Sequence, residues 1–285
     1  MSASAPVDVK LSLSALARHG SANGPHTDGW GVAFLKDKDC MLFRGAEAAY
    51  TSPWIACLAT HPVESATVIA HIRHATQGRI SLANTQPFQR ELWGRVHVFA
   101  HNGNIAPGGD AGHSVPERHC PIGETDSEAM FCCFLDRLAA HVDPASVSAD
   151  RVIEAEFARH CRELRIRGPA NIIYASGGRV LVHADRRKQA SGHIEPPGIW
   201  VLERSCAIRT EALAEPSAVS ISGSALKVAL VASVPLTDEP WQPLERGTIL
   251  SLGDGRIVGA DTRLKRIQCR RSAIGRRRKF EHSRS

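Results

Sequence analysis

The stretch "RVHVFAHNG", residues Arg95 to Gly103, combines a short apolar run with a polar end. Its β-branched and aromatic residues predict a β-strand. The Asn-Gly pair at the end is a strong hairpin signal, because both residues tolerate positive φ. The same pair offers a side-chain amide and a backbone N–H, the two donors that an oxyanion hole for acyl transfer needs. The sequence thus leaves a plain turn and a catalytic turn open at Asn102 and Gly103.

The segments around this strand follow strand and helix patterns in blocks. Strands are predicted at residues 31–35 and 66–72, helices at 124–142 and 152–164, and six further strands between residues 170 and 260. The first helix has a clear start, because Thr125 can cap it and Glu128 follows three residues later in a capping-box pattern. Strands, then helices, then strands with hairpin-like spacing predict an α+β fold of layered antiparallel sheets.

Composition bounds the class of protein. The chain has 285 residues, of which 43% are hydrophobic, which allows one large domain with a core of good size. No apolar run approaches the roughly 18 residues that span a bilayer, and no signal-peptide pattern is visible. The 8 cysteines include no C-x-x-C pair, which favours reduced thiols in the cytoplasm over a disulfide framework. We therefore expect a cytoplasmic protein with no membrane partner.

Charge is distributed unevenly along the chain. Residues 263–285 hold ten Lys or Arg and one Glu, so the net charge of this tail is +9. Because the net charge of the whole chain is +6, residues 1–262 have a net charge of −3. Such a segment is typical of a disordered, solvated extension. Contact with nucleic acid is the alternative, but no aromatic interleaving or binding motif supports it. The sequence predicts one domain over residues 1–262 and a basic tail over 263–285.

Four polar clusters stand at predicted strand or loop ends. They are "HTDGWG" (26–31), "HIRHATQG" (71–78), "AHNG" (100–103) and "GETDSE" (123–128). Taken singly, each is explained by turn or capping residues. Taken together they form a chemical set, because Arg73 suits a carboxylate and Asp126 suits an ammonium group. A pocket that joins both to Asn102 and Gly103 would fit an α-amino acid undergoing acyl transfer.

These motifs, in this order, resemble those of the class II glutamine amidotransferases, which are N-terminal-nucleophile hydrolases. The similarity is greatest to the stand-alone, YafJ-like subgroup. The segments "GPHTDGWG", "NTQPFQRELWGR" and "PLTDEPWQPL" strengthen it, and it covers nearly all of residues 1–260. The resemblance implies a four-layer αββα sandwich of two antiparallel sheets. It also implies hydrolysis of the side-chain amide of glutamine or of a γ-glutamyl amide.

The resemblance also implies roles for five residues. Arg73 and Thr76 would hold the glutamine carboxylate, and Asp126 would hold its α-ammonium group. Asn102 and Gly103 would form the oxyanion hole. No cofactor and no metal are implied. The chain has no room for a second synthase domain, so the ammonia acceptor would be a partner enzyme, or water would make the reaction a plain amide hydrolysis.

The nucleophile of the family is a cysteine at the mature N-terminus, whose own α-amine can serve as the base. This chain begins "MSASAPVDV", whereas the family pattern has Met-Cys, a short apolar run and Gly before a similar segment. Met1 therefore matches an internal Met of the family, and about six residues, with the catalytic Cys among them, are missing from the pattern. We expect the chain as numbered to be inactive.

Several alternatives compete with a misassigned or truncated start. The chain would be a catalytically dead protein that binds glutamine or a partner, or Ser2 would act as nucleophile after removal of Met1, although its register is several residues off. A metallohydrolase is a different class of function. Its ligands would come from five residues with usable spacings: His26, Asp28, His71, His74 and His101.

Overall fold

Two antiparallel β-sheets packed face to face form the centre of the protein. The computed structural model describes residues 1–11, 27–106, 116–206, 219–222 and 226–260. The strands are β1 Ser2–Leu11, β2 Trp30–Lys36, β3 Asp39–Gly45, β4 Val63–Ile72, β5 Phe88–Leu92, β6 Arg95–Gly103, β7 Ala170–Ser176, β8 Arg179–His183, β9 Arg187–Lys188, β10 Ile194–Glu195, β11 Trp200–Cys206, β12 Val219–Ser222, β13 Leu226–Ala232, β14 Gln242–Pro243, β15 Ile249–Gly253 and β16 Arg256–Ala260.

Three α-helices occur in the described ranges. They are α1 Pro53–Thr60, α2 Asp126–His141 and α3 Ala149–Leu164. The predicted start of α2 is confirmed, because the Thr125 side chain accepts a hydrogen bond from the Glu128 backbone N–H at 3.3 Å. The Glu128 carboxylate accepts from the Gly123 N–H at 2.7 Å, which fixes the chain as it enters the helix. Across the described ranges, no helix combines the length and the apolar character needed to cross a bilayer.

The two sheets are built entirely from antiparallel neighbours. The first has the order β14-β11-β13-β1-β4-β2-β3, with β12 also paired to β1, and the second has the order β16-β15-β8-β7-β6-β5. A small β9–β10 pair lies apart from both. β6 lies between β5, which pairs with residues 95–99, and β7, which pairs with residues 98–103.

Three apolar clusters define four layers. The first sheet packs its outer face on α1 through Trp30, Phe34 and Ile55. The second sheet packs its outer face on α2 and α3 through residues such as Phe99 and Phe134. The inner faces meet through smaller side chains: Ala33, Ile69, Val98, Val182 and Leu250. This arrangement is the αββα sandwich that the resemblance implies, and the predicted α+β class is confirmed.

β1 is an interior strand that stops short of its two neighbours. Ser2 pairs with Thr67 of β4 and with Ala229 of β13. Met1 continues the ladder, since its nitrogen donates to the Val68 carbonyl at 2.8 Å and its carbonyl accepts from the Val68 N–H at 3.1 Å. β4 runs on to Ile72 and β13 to Ala232, but among the described residues no β-ladder joins their facing edges there.

Buried histidines give the fold a pH dependence. Burial lowers the pKa of three of them to about 4: His97, His160 and His183. The pKa of a histidine in an unfolded chain is ~6.5. Between that pH and about 4, the unfolded chain therefore binds more protons than the folded one. The free energy of unfolding should therefore fall as the pH falls through this window, by up to ~1.4 kcal/mol per pH unit for each histidine.

His160 offers a direct test of this pH dependence. It is buried against Phe134, with the two ring centroids 5.4 Å apart. Urea denaturation of His160→Leu between pH 4 and 7 should show a shallower acid slope, by about one proton. The exposed His61→Leu serves as the control and should leave the slope unchanged. An unaltered slope in His160→Leu would contradict the assignment.

Candidate functional site

Asn102 and Gly103 are the last two residues of β6, and they lie in a β-ladder. Asn102 pairs with Asn171 and Gly103 with Ala170, and neither Asn102 nor Gly103 has a positive φ. The hairpin turn predicted from the Asn-Gly pair is therefore wrong. The ladder with β7 continues to the end of the pair, so long-range strand pairing overrides the local turn preference.

Gly103 is required by close packing, because a Cβ there would lie 1.9 Å from the Pro169 carbonyl oxygen. The neighbouring Asn102 has an exposed side chain, and within the described part of the chain its amide donates no hydrogen bond. Its carbonyl accepts from the Asn171 side-chain amide at 2.9 Å. The Asn102 backbone is therefore fixed while its amide is left free for a ligand.

A buried hydrogen-bond network supports this strand end from the helix side. The Gln86 side chain accepts from the His101 N–H at 2.6 Å and donates to the His101 carbonyl at 3.1 Å. The His101 ring lies 2.9 Å from the Ser127 hydroxyl and 3.1 Å from the Pro169 carbonyl oxygen. Because that carbonyl can only accept, Nε2 of His101 carries a proton, and Nδ1 is an acceptor. The one proton of the Ser127 hydroxyl can go either to Nδ1 of His101 at 2.9 Å or to the Asp126 carboxylate at 3.2 Å. Burial lowers the pKa of His101, in keeping with a neutral ring.

Asp126, the first residue of α2, is fixed to the same strand end. One carboxylate oxygen accepts from the Ile105 N–H at 2.7 Å, and the other accepts from the Ser127 N–H at 2.8 Å. Ile105 lies two residues beyond Gly103, so the carboxylate sits beside the strand end. A carboxylate has about four acceptor positions, and an ammonium group can still bind there.

Arg73, directly after β4, is 3% exposed and makes four hydrogen bonds to backbone carbonyls. Nη1 donates to Asp28 and Arg79, and Nη2 donates to Gln77 and Gly78, at 3.0–3.3 Å. Burial lowers the pKa of Arg73, and the nearby Asp28 partly offsets this. The residues after β4 are therefore wrapped around this guanidinium.

Gln77 joins this loop to the segment that follows Gly103. Its side-chain amide donates to the Asn104 side-chain oxygen at 2.5 Å and lies 3.4 Å from the Ile105 carbonyl. Thr76, in the same loop, is exposed. The loop carrying Arg73 and Thr76 is thus in direct contact with the segment that holds Asp126.

Comparison with known proteins agrees with this geometry. The family model for class II glutamine amidotransferases matches residues 1–274. This chain belongs to the class II glutamine amidotransferases. The amidotransferase is 33% identical over 264 residues to YafJ of Escherichia coli K12, a protein named as a glutamine amidotransferase, with 90% of this chain and 98% of YafJ covered.

Further relatives support the same assignment. A Haemophilus influenzae protein named as a glutamine amidotransferase is 31% identical over 259 residues, covering 90% of this chain and 84% of that protein. The crystal structure of a predicted glutamine amidotransferase from Pseudomonas aeruginosa PA01 superposes with a TM-score of 0.66 at 28% identity, covering 90% of this chain and 97% of that one.

Four of the internal thiols in the described ranges are poor candidates for a nucleophile. Burial raises the pKa of Cys40, Cys132 and Cys133 to about 11, and that of Cys161 well above the usual value. A thiol with a raised pKa carries little thiolate at neutral pH.

Two residues that support the site were not predicted. Gln86, in the segment before β5, and Asn171, in β7, reach the 101–102 backbone with their side chains, and neither was assigned a role from the sequence. The metallohydrolase alternative has no support in the described ranges, which hold no group of three or more His, Cys, Asp or Glu able to bind a metal ion. Its candidate ligand His26 lies outside those ranges, as does the basic tail 263–285.

Proposed function

We propose that this amidotransferase hydrolyses the side-chain amide of glutamine, or of a γ-glutamyl amide, through a cysteine that precedes Met1. The observation that carries the proposal is the meeting of three elements at one end of the sandwich. These are the strand end at Asn102 and Gly103, the carboxylate of Asp126, and the edges of β4 and β13 that continue past Met1.

The two strands that flank β1 both extend beyond its first residue. The facing edges of β4 and β13 continue past Met1, to Ile72 and Ala232. Burial lowers the pKa of the Met1 amino group to about 5, because a charged ammonium is poorly solvated between the two strands. A peptide N–H fits that position better than an ammonium group, which supports a preceding segment that continues β1.

The register of β1 supports a position for such a segment close to the candidate site. Ser2 is opposite Thr67, so a residue about five positions before Met1 would be level with Arg73, if the antiparallel register continues. Side chains alternate along a strand, and that residue would share a face with Ser2. Ser2 is opposite Thr67 and Ala229, and Ala229 belongs to the core between the sheets. The cysteine would thus face the inter-sheet side, which Asn102 shares by alternation with Val98.

The chemistry follows from this placement. The cysteine thiolate attacks the side-chain carbonyl carbon, and the oxyanion that forms accepts hydrogen bonds from the Asn102 amide and the Gly103 N–H. The C–N bond breaks as the nitrogen takes a proton from the cysteine's own α-ammonium group and leaves as ammonia or an amine. Water then cleaves the glutamyl thioester and releases glutamate.

Asp126 binds the substrate ammonium group, and Arg73 with Thr76 binds the carboxylate. For Arg73 this requires some of its backbone carbonyl partners to be exchanged for the substrate carboxylate, which can accept two parallel hydrogen bonds from the guanidinium and carries the opposite charge. The ammonia passes to a partner enzyme or to water. We place the protein in the cytoplasm, where its free thiols stay reduced.

The decisive experiment compares two forms of the chain. One begins at Met1, and the other carries Met-Cys and about four further residues before it, the length set by the register. Glutamate and ammonia release from glutamine should be measurable only in the extended form after removal of its initiator Met, and Cys→Ala in that form should abolish it. A silent extended form that still binds glutamine would instead identify a non-catalytic binding protein. Equal turnover by the chain that begins at Met1 would reject the cysteine mechanism.

A further inference from the structure

A short buried segment with polar side chains lies directly before β5. Its members Asn84, Thr85 and Gln86 are all buried. The Thr85 carbonyl accepts a hydrogen bond from Arg44 of β3 at 2.8 Å. A Cβ on Gly31 of β2 would lie 2.3 Å from the Gln86 carbonyl oxygen, so the backbone of this segment packs closely on the first sheet. The side chains of Asn84 and Gln86 are thereby held in fixed positions between the two sheets.

Gln86 supplies to β6 the hydrogen bonds of a strand residue. The pairing of β5 with β6 ends at Phe88, which is opposite Phe99. Two more residues in the same register would place residue 86 opposite His101. The Gln86 side-chain amide accepts from the His101 N–H at 2.6 Å and donates to the His101 carbonyl at 3.1 Å. That carbonyl belongs to the same peptide group as the Asn102 N–H, so Gln86 fixes the peptide that leads into Asn102.

Asn84 connects a different pair of segments. Its side-chain nitrogen donates to the Arg79 carbonyl at 2.9 Å, and its side-chain oxygen accepts from the Glu124 N–H at 2.7 Å. The Arg79 carbonyl also accepts from Arg73 at 3.2 Å. Glu124 lies two residues before Asp126. Asn84 therefore joins the loop around Arg73 to the start of the helix that carries Asp126.

Two glycines enclose the Asn84 amide. A Cβ on Gly123 would lie 2.2 Å from the Asn84 side-chain oxygen, and a Cβ on Gly78 would lie 2.8 Å from its side-chain nitrogen. The Asn84 and Gln86 amides are thus buried and hydrogen-bonded to backbone groups of the protein. Any effect of these two side chains on a substrate is therefore exerted through the groups that they hold.

We propose that Asn84 and Gln86 are positioning residues for different parts of the reaction. Gln86 orients the oxyanion donors at Asn102 and Gly103, whereas Asn84 holds together the two segments that bind the carboxylate and the ammonium group of the substrate. These roles rest on the proposed function. Oxyanion donors act on charge that develops during the attack, so loss of Gln86 affects kcat. Loss of ground-state binding raises KM, so loss of Asn84 affects KM.

The test measures glutamate release from glutamine by the extended chain. Gln86→Met, which has a similar length and no amide, should lower kcat roughly tenfold or more and change KM less than about threefold. Asn84→Ala should raise KM roughly fivefold or more and change kcat less than about threefold. Asn84→Asp keeps the acceptor for Glu124 and loses the donor to Arg79, so it should raise KM in the same way if Asn84→Ala does not fold.

Tyr174→Phe is the matched control for the loss of a buried hydrogen bond. Tyr174 is buried, and its hydroxyl lies 2.6 Å from Nδ1 of His97, near the start of β6. The variant should lower the melting temperature, because a buried nitrogen loses its donor. It should leave kcat and KM within about twofold of the unmodified extended chain.

Gln86→Glu gives a readout that reduced stability alone would not move. A protonated carboxyl can accept from the His101 N–H and donate to the His101 carbonyl, as the amide does, whereas an ionised one can only accept. Burial raises the pKa of such a carboxyl. The kcat of Gln86→Glu relative to the unmodified extended chain should therefore rise between about pH 8 and about pH 6. A constant ratio would contradict the role of Gln86.

The unmodified extended chain separates these roles from the proposed function. If it releases no glutamate, the proposed function is rejected, and the two roles with it. If it hydrolyses glutamine while Gln86→Met and Asn84→Ala change kcat and KM in the same proportion, or change neither, the function stands and the positioning roles are rejected. Opposite effects of the two variants, with Tyr174→Phe neutral in both constants, would support them.

Discussion

Asn102→Ala in the extended chain should lower kcat for glutamine by about 10²–10³-fold, the usual effect of losing one oxyanion donor. In the proposed mechanism the amide of Asn102 stabilises negative charge that develops only as the thiolate attacks, so the loss should appear in kcat. Steady-state kinetics of glutamate release measure it. Within the described residues the Asn102 side chain makes no hydrogen bond, so the substitution should leave the protein's stability unchanged.

Two controls make this result interpretable. The affinity for glutamine, measured by calorimetry in the Cys→Ala form, should stay within about twofold, since ground-state binding is assigned to other groups. The melting temperature should be unchanged. A normal kcat in Asn102→Ala would show that the oxyanion is stabilised elsewhere. A fall in kcat together with a fall in melting temperature would point to damage to the fold.

Glu128→Ala should destabilise the folded chain by about 3–5 kcal/mol, because it leaves a largely buried guanidinium without its partner. Glu128 is 1% exposed and accepts hydrogen bonds from Arg90 and from the Gly123 N–H. For a chain of this size the melting temperature should drop by about 5–8 °C. Thermal and urea denaturation of the chain that begins at Met1 measure this, so the result does not depend on any activity.

The matched control for Glu128 is Glu163→Ala. Glu163 pairs with Arg137 at 2.7 Å and with Arg159 at 3.2 Å, but its side chain is 47% exposed. Solvent screens such pairs, and the expected cost is below about 1 kcal/mol. If both variants lose the same stability, burial is not what makes the Arg90–Glu128 pair important.

Local signals predicted some elements well. The start of α2 was predicted correctly, because the capping hydrogen bond of the Thr125 side chain forms within one turn of the helix. The strand at 95–103 and most strands after residue 170 were also predicted, since runs of β-branched residues mark buried strands. The four-layer αββα arrangement was predicted only from the resemblance, because the order of strands in a sheet depends on pairings between distant segments.

Other features had no local signal. β1 was not predicted, since "SASAPVDVK" is rich in residues with weak strand preference and becomes a strand through pairing on both sides. The Asn-Gly pair was read as a turn for the opposite reason, a strong local preference overridden by β7. Of the candidate residues, Asp126 is joined to the 102–105 segment by a hydrogen bond, whereas the roles of Arg73 and Thr76 in binding stay predictions.

Because β1 is paired on both sides, the number of residues between Met1 and any preceding nucleophile determines where that nucleophile lies in the sheet. An insertion of one residue in that interval would turn the nucleophile to the face packed on α1, and a shift of two would restore the face but move it by about 7 Å along the sheet. In the proposed mechanism the amino acids in the interval can vary as long as they fit an apolar strand, but their number cannot. Here chain length, more than chemical identity, is the quantity under constraint.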